Sequence, residues 1–275
     1  MKNVIAIQGI QGSFHHQVAQ EYFGKEVNVK SCNSFPKLMQ ELSEGAIHQG
    51  IMAIENSIAG SILPNYALID ENKVHIIGEH YIPIHMNLMA LKGQSIEDIL
   101  EVRSHPIALL QCKNFFEKYP KIKLVEDTDT ADVARQISED NLKGIAAVAS
   151  RTAASIFSLN ILAEGIHTVK NNSTRFLILS SNGHVVNKDE IDKASVKFEL
   201  DQEHGNLASV LNILNDCNLN LTKIQSLPII ESPWRYSYFI DVTFKSYSEY
   251  EKAKEILGII TEELKVLGEY KNGRS

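Results

Sequence analysis

The stretch VIAIQGIQGSFHHQVAQEYF, residues 4–23, decides how the rest of the chain is read. VIAIQG is a short apolar run with strand character, and SFHHQVAQEYF reads as a helix. Between them GIQGS, Gly9 to Ser13, turns the chain from strand to helix. Ser13 suits the N-cap, and the exposed N–H groups of such a turn favour an anion. Two glycines at this spacing fit a plain tight turn equally well.

Working outward, the alternation continues. VNVKSC is followed by FPKLMQELSEG, and GIMAIEN by a polar turn and SILPNYALID. HIIGEHYIPIHMNLMAL reads as one long strand or two. EVRS precedes the helix HPIALLQCKNFFEKY, KLVEDT precedes ADVARQISE, and GIAAVAS precedes RTAASIFSL. TRFLILS closes the set, which predicts an α/β domain over residues 1–180. SNGHVVNKDEIDK, residues 181–193, is polar and aperiodic and reads as a linker. From 194 to 275 the order changes. ASVKFELD is a strand, GNLASVLNILNDC a helix, NLTKIQSLPII and RYSYFIDVTF two strands, SEYEKAKEILGIITEEL a helix and KVLGEY a last strand. That is βαββαβ, the ferredoxin-like arrangement.

Bulk properties narrow the function. A length of 275 residues favours two domains, and 44% apolar residues can fill their cores. The net charge of −7, with no cluster of lysine or arginine, argues against nucleic acid as a partner. No stretch is long enough to span a membrane, and the start of the chain has no signal-peptide pattern. Cys32, Cys112 and Cys217 are far apart and odd in number, which suits a reducing compartment; a soluble cytoplasmic protein is expected. His15 and His16 are adjacent, and His75, His80 and His85 are spaced by five, so no metal-ligand spacing emerges. DTDTADVA, from Asp127, reads as a strand end and a capped helix start rather than a metal loop.

Three further polar clusters stand at strand ends. AIENSIAGS places Glu55, Asn56 and Ser57 at the C-terminal end of a buried strand, the edge where open α/β sheets bind ligands. A cap explains Asn56 or Ser57, but not the acid beside them. In SHPIALLQC, Ser104 fits the N-cap and Pro106 the first turn, and Gln111 follows Ser104 by nearly two helical turns, so both can share a face. In NNSTRF, strand alternation turns Thr174 and Phe176 to one side and Arg175 to the other.

With these four clusters in this order, the chain resembles bacterial prephenate dehydratases over nearly all its length. GIQGSFHHQVA is similar to the family's N-terminal motif, and AIENSIAGS, SHPIALLQC and NNSTRF to its active-site motifs. The C-terminal region is similar to an ACT domain, a regulatory module that binds amino acids. The resemblance implies a two-lobed catalytic domain like a type II periplasmic binding protein, with the site in its cleft. It implies the cofactor-free decarboxylating dehydration of prephenate to phenylpyruvate, on the way to phenylalanine. Carried over position by position, it implies Thr174 as the central catalytic hydroxyl. Glu55, Asn56, Ser104 and Gln111 would line the same cleft, with Ser13, Ser57, Arg175 and Phe176 beside it. Arg175 either anchors a substrate carboxylate or braces the site from behind.

The chain departs from the family pattern at Ile10 and Gln11, and at His15, where serine is usual. The usual effector motifs Gly-Ala-Leu and Glu-Ser-Arg-Pro read Gly205-Asn206-Leu207 and Gln225-Ser226-Leu227-Pro228. Phenylalanine is the expected effector, bound through Gly205, Asn206, Leu207, Gln225 and Ser226 with altered preference or strength. A homodimer or tetramer through ACT domains is expected from the family. Two other readings compete: arogenate dehydratase, the same chemistry on the aminated substrate, and a non-catalytic amino-acid sensor.

Overall fold

The computed structural model of the chain describes residues 4–182, 187–201 and 206–274. In chain order it forms β1 (Val4–Gln8), α1 (Phe14–Phe23), β2 (Asn28–Cys32), α2 (Phe35–Ser43), β3 (Gln49–Asn56), β4 (Gly60–Ser61), α3 (Leu63–Glu71), β5 (His75–Pro83) and β6 (Asn87–Ala90). Then come β7 (Glu101–Ser104), α4 (Pro106–Gln111), α5 (Lys113–Phe116), β8 (Lys123–Glu126), α6 (Thr130–Glu139), β9 (Ile145–Ala149), α7 (Arg151–Ile156), β10 (Asn160–Ala163) and β11 (Ser173–Ser180). The rest is β12 (Lys193–Glu199), α8 (Asn206–Asp216), β13 (Asn220–Pro228), β14 (Tyr236–Thr243), α9 (Tyr247–Ile260) and β15 (Glu263–Tyr270).

The α/β region holds two sheets, ordered β2-β1-β3-β11-β5, with β4 on β3, and β10-β6-β9-β7-β8. Interior strands are apolar throughout because both faces are covered. β9 reads IAAVA between β6 and β7, and in β11 every residue after Ser173 is buried. The helices show the complementary pattern. In α6, Ala131, Val133, Ala134 and Ile137 are buried, and Asp129 caps the start by accepting from the N–H groups of Ala131 and Asp132.

Some boundaries differ from the sequence reading. The long run at 75–91 is two strands, β5 and β6. HPIALLQCKNFFEKY breaks at Cys112 into α4 and α5. β10 is a strand that the pattern hid, because its four residues carry too little periodicity. The expected linker 181–193 contains a 3-10 turn at Lys188–Glu190, and Lys193 is already the first residue of β12.

Packing divides the chain into two compact units. One takes Met1–Leu38, Ile51–Ser61 and Tyr81–Phe176, and the other Met39–Gly50, Ile62–His80 and Leu177–Ser275. In the first, α1 buries both of its histidines. His16 Nδ1 accepts from the Gly12 N–H at 3.1 Å, while His15 packs against the rings of Phe35 and Phe176. Burial alone drives the His15 pKa down to about 3, so the ring behaves as an apolar filler.

The second unit contains the βαββαβ segment. Its sheet runs β13-β14-β12-β15, and all three pairings are antiparallel. Phe198, Val210, Leu214, Ile240, Val242, Tyr250 and Leu257 build the core beneath α8 and α9. The register of β12 on β15 shifts between Ser195 and Val196, and Gly268 lies beside that bulge. Any Cβ on Gly268 would overlap the Ile76 carbonyl of β5, so only glycine permits this approach. Next to it, the Lys193 ammonium reaches both carboxylate oxygens of Glu79, at 2.8 and 2.9 Å, with side chains 3% and 0% exposed. Glu79 Oε1 also accepts from the Gly273 N–H at 3.0 Å. Lys197 meets Asp70, Glu199 and Glu263 together; desolvation alone would lower its pKa, but the three carboxylates outweigh it and raise it.

Two outcomes follow. Lys193→Ala strands the Glu79 charge in the interior and costs about 3–5 kcal/mol in urea unfolding, while Lys193→Met with Glu79→Leu recovers most of the loss. The His15 imidazole ionises near 6.5 in the unfolded chain and near 3 in the folded one. Between these values the unfolded chain takes up the proton first, so stability falls as pH falls. His15→Leu removes up to about 1.4 kcal/mol of that loss per pH unit, read as a shallower acid limb in unfolding titrations.

Candidate active site

The site begins where β3 leaves the core. Asn56, its last residue, pairs with Gly60 across the β3–β4 hairpin. The Asn56 side-chain carbonyl accepts from the N–H groups of Ile58 at 3.0 Å and Ala59 at 2.9 Å, which fixes which way the amide points. The NH2 end is thereby aimed at the start of β11. It donates to Asn172 Oδ1 at 2.7 Å and to Thr174 Oγ1 at 2.9 Å, with the Ser173 carbonyl at 3.2 Å. Asn172 in turn donates to Gln111 Oε1 at 3.1 Å. Four side chains, Gln111, Asn172, Asn56 and Thr174, thus form one hydrogen-bonded line.

The order of donors has a chemical consequence. Thr174 accepts from Asn56, so its own hydroxyl proton is turned away from Asn56 and can be given to something else. The residue is 8% exposed, which limits competition from water. Asn56 has committed its NH2 group within the protein; it orients Thr174 and has no spare hydrogen for a substrate. Gln111 uses its carbonyl on Asn172, which leaves its NH2 end as the donor in this line that is not committed to Asn172.

Other residues singled out from sequence fall around this line with different roles. Ser57 stitches the hairpin to β11: its N–H donates to the Ser173 carbonyl at 2.9 Å, and its hydroxyl accepts from the Ser173 N–H at 3.0 Å. Ser13 caps α1, accepting from the His16 N–H at 3.2 Å. Phe176 presents its ring to His15 edge-on, centroids 5.0 Å apart. Arg175 is 4% exposed on the opposite side of β11 from Thr174. Glu55 precedes Asn56 on an extended strand, so the two side chains take opposite faces.

Ser104 is a correction. It is the last residue of β7, not the cap of a helix, and is fully buried. Its hydroxyl donates to the Val148 carbonyl at 2.6 Å. The cap of α4 is His105, whose side chain accepts from the Ile107 N–H. The helical spacing that linked Ser104 to Gln111 therefore does not apply, because α4 starts at Pro106. Asn172 is the residue that sequence reasoning missed. Its signal was its place two residues before Thr174, on the same side of an extended segment.

Two other loops border this region of the chain. Gly12 has a φ of +93°, and a Cβ there would lie 3.1 Å from the Ala153 backbone, so the turn after β1 needs glycine to approach α7. Ser150 closes that approach by donating to the Gly12 carbonyl at 2.7 Å. Asp129 Oδ2 lies against Gly9, and burial raises its carboxyl pKa against the pull of the two N–H groups it caps. The Cys112 thiol, beside Gln111, is pushed up to about 12 by burial and is no nucleophile. Among the described residues no group of three or more His, Cys, Asp or Glu could hold a metal, and no helix is long and apolar enough to cross a membrane.

Comparison with known proteins agrees with this geometry. The prephenate dehydratase family profile matches residues 5–184. Arogenate dehydratase 2 of Petunia hybrida is 34% identical, over 97% of this chain and 71% of its own length. The bifunctional chorismate mutase/prephenate dehydratase of Aquifex aeolicus is also 34% identical, over 97% of this chain and 73% of its own. The crystal structure of the prephenate dehydratase of Arthrobacter aurescens, in complex with L-Phe, superposes with a TM-score of 0.89 at 25% identity, covering 98% of this chain and 90% of that one. The chain belongs to the prephenate dehydratase family of carbon–oxygen lyases.

Proposed function

We propose that this enzyme converts prephenate to phenylpyruvate, carbon dioxide and water, with Thr174 as the hydrogen-bond donor to the departing oxygen. The observation that carries the assignment is the 2.9 Å bond from Asn56 to Thr174, which makes the hydroxyl a donor aimed elsewhere. In the reaction the ring carboxylate leaves as carbon dioxide. Its bonding electrons enter the ring as the C–O bond to the hydroxyl breaks, and one proton is taken up to release water. Aromatisation supplies the driving force, so the barrier lies in expelling hydroxide. A fixed donor at that oxygen stabilises the charge as it develops. Thr174 is too weak an acid to give up its proton outright; the proton enters from water or from Glu55.

The remaining roles follow from position. Asn56 and Asn172 orient Thr174, and Gln111 offers its NH2 end to the substrate. Phe176, backed by His15, keeps water from the decarboxylating face. Arg175 braces β11 from behind, and Ser13 and Ser57 hold the flanking turns. Ser104 holds β7 to β9 and acts through structure. We read the two sheets of residues 1–180 as the two lobes of a catalytic domain like a type II periplasmic binding protein. Three buried free cysteines suit a cytoplasmic location.

We read the βαββαβ segment, 194–275, as an ACT module whose effector is phenylalanine. Its topology supports this, as does the L-Phe complex of the Arthrobacter relative. Asn206 and Leu207 open α8, and Gln225 and Ser226 lie on β13 at the sheet edge; Gly205 lies outside the described residues. An edge strand with unpaired backbone groups also supports a homodimer or tetramer through this module. The Petunia relative keeps arogenate in view as a second substrate.

With prephenate and arogenate assayed in parallel, prephenate is the better substrate. Thr174→Ala lowers kcat by about 10²–10⁴-fold without changing thermal unfolding. Asn172→Ala lowers it on the order of 10²-fold by releasing Asn56. Turnover by Thr174→Ala at the parent rate would overturn the assignment. Millimolar L-phenylalanine slows the parent enzyme, and restoring the family residues by Gln225→Glu with Leu227→Arg lowers the concentration needed. If neither form responds, the segment is not a phenylalanine module.

A further inference from the structure

A cavity of about 780 Å³ opens in the first unit, lined by the outer face of α1, by α7 and by the segments 83–87 and 164–165. Cavities of about 300–1,000 Å³ hold small organic ligands. None of Gln111, Asn172, Asn56 or Thr174 lines it, so it is not the site described above. Its floor is built from buried polar side chains. Asn87 accepts from the Gly165 N–H at 3.1 Å, and Ser150 is bonded to Gly12 and Ala153. These bonds hold the connecting segments in place whether or not the cavity is filled.

The wall carries one charge of each sign. Arg151 on α7 pairs with Glu164 at 2.6 Å, and the two side chains are 65% and 63% exposed. An exposed pair contributes about 0–1 kcal/mol, so a ligand can part it at little cost. A plain anion would meet Glu164 and a plain cation would meet Arg151. A molecule with a carboxylate and an ammonium on one carbon satisfies both. Phe14, Pro83 and Ile156 add apolar surface to the same cavity.

We propose that this cavity binds a free α-amino acid with an apolar side chain, its carboxylate on Arg151 and its ammonium on Glu164. The site is separate from the βαββαβ segment and does not depend on the dehydratase chemistry.

The test is calorimetric titration of the full chain with L-leucine, L-methionine and L-phenylalanine at up to millimolar concentrations. Each is paired with its N-acetyl form, which lacks the ammonium, and its amide, which lacks the carboxylate. At least one free amino acid binds saturably, and both blocked forms bind about tenfold or more weakly, a difference of about 1.4 kcal/mol. Ser155→Trp, which fills the cavity from α7, abolishes the binding, and Arg151→Ala weakens it about tenfold. Both variants keep the parent's turnover of prephenate, which also shows that they fold. The proposal is overturned if no free amino acid binds, if the blocked forms bind as well, or if binding survives Ser155→Trp in a folded protein. Phenylalanine binding that persists in both variants belongs to another site and counts against this one.

Discussion

The orientation of one amide governs the active site. Asn56 is held by its carbonyl end in the turn after β3, so its NH2 end can only face β11. That direction makes Thr174 an acceptor toward Asn56 and a donor toward anything on its other side. Flipping the amide would place its carbonyl against Thr174 and Asn172, and would consume the hydroxyl proton needed for the leaving oxygen. The backbone of the β3–β4 hairpin therefore sets the chemistry of a residue more than a hundred positions away. Asn172 and Gln111 extend the same constraint, so the hydroxyl is fixed from both β3 and α4.

A different kind of constraint holds the second unit. There β15 approaches β5 so closely that position 268 admits only glycine, and the buried Lys193–Glu79 pair sits next to that approach. Such a pair adds little stability over apolar residues of the same shape, but it tolerates only one alignment of its partners. The βαββαβ segment is thus keyed to β5 by charge and by backbone contact. Any effector response from this segment has a rigid point of departure.

Much of this was legible in the sequence, and the failures have physical reasons. Periodicity found the α/β alternation and the full βαββαβ order, because buried strands and amphipathic helices leave long signals. It missed β10, whose four residues are too few, and it ran α4 into α5 because nothing local marks Cys112 as a break. The motif residues Asn56, Gln111 and Thr174 come together as expected. Ser104 does not, because a serine before a histidine and a proline looks like a cap, and only the pairing of β7 with β9 shows its hydroxyl turned to Val148. Asn172 was hidden by its neighbours: in a run of polar residues no local feature singles out the one that will be buried. Which neutral donors remain for a substrate was also beyond sequence, since that depends on contacts made far along the chain.

The central claim is that Asn56 acts through Thr174 rather than on the substrate. A double-mutant cycle on kcat for phenylpyruvate formation, with Asn56→Ala, Thr174→Ala and the double variant, addresses it directly. If the claim holds, the double variant is no slower than Thr174→Ala alone, because orienting an absent hydroxyl has no effect. If the two losses multiply, Asn56 has a contact of its own with the reacting molecule, and the account of the site is wrong.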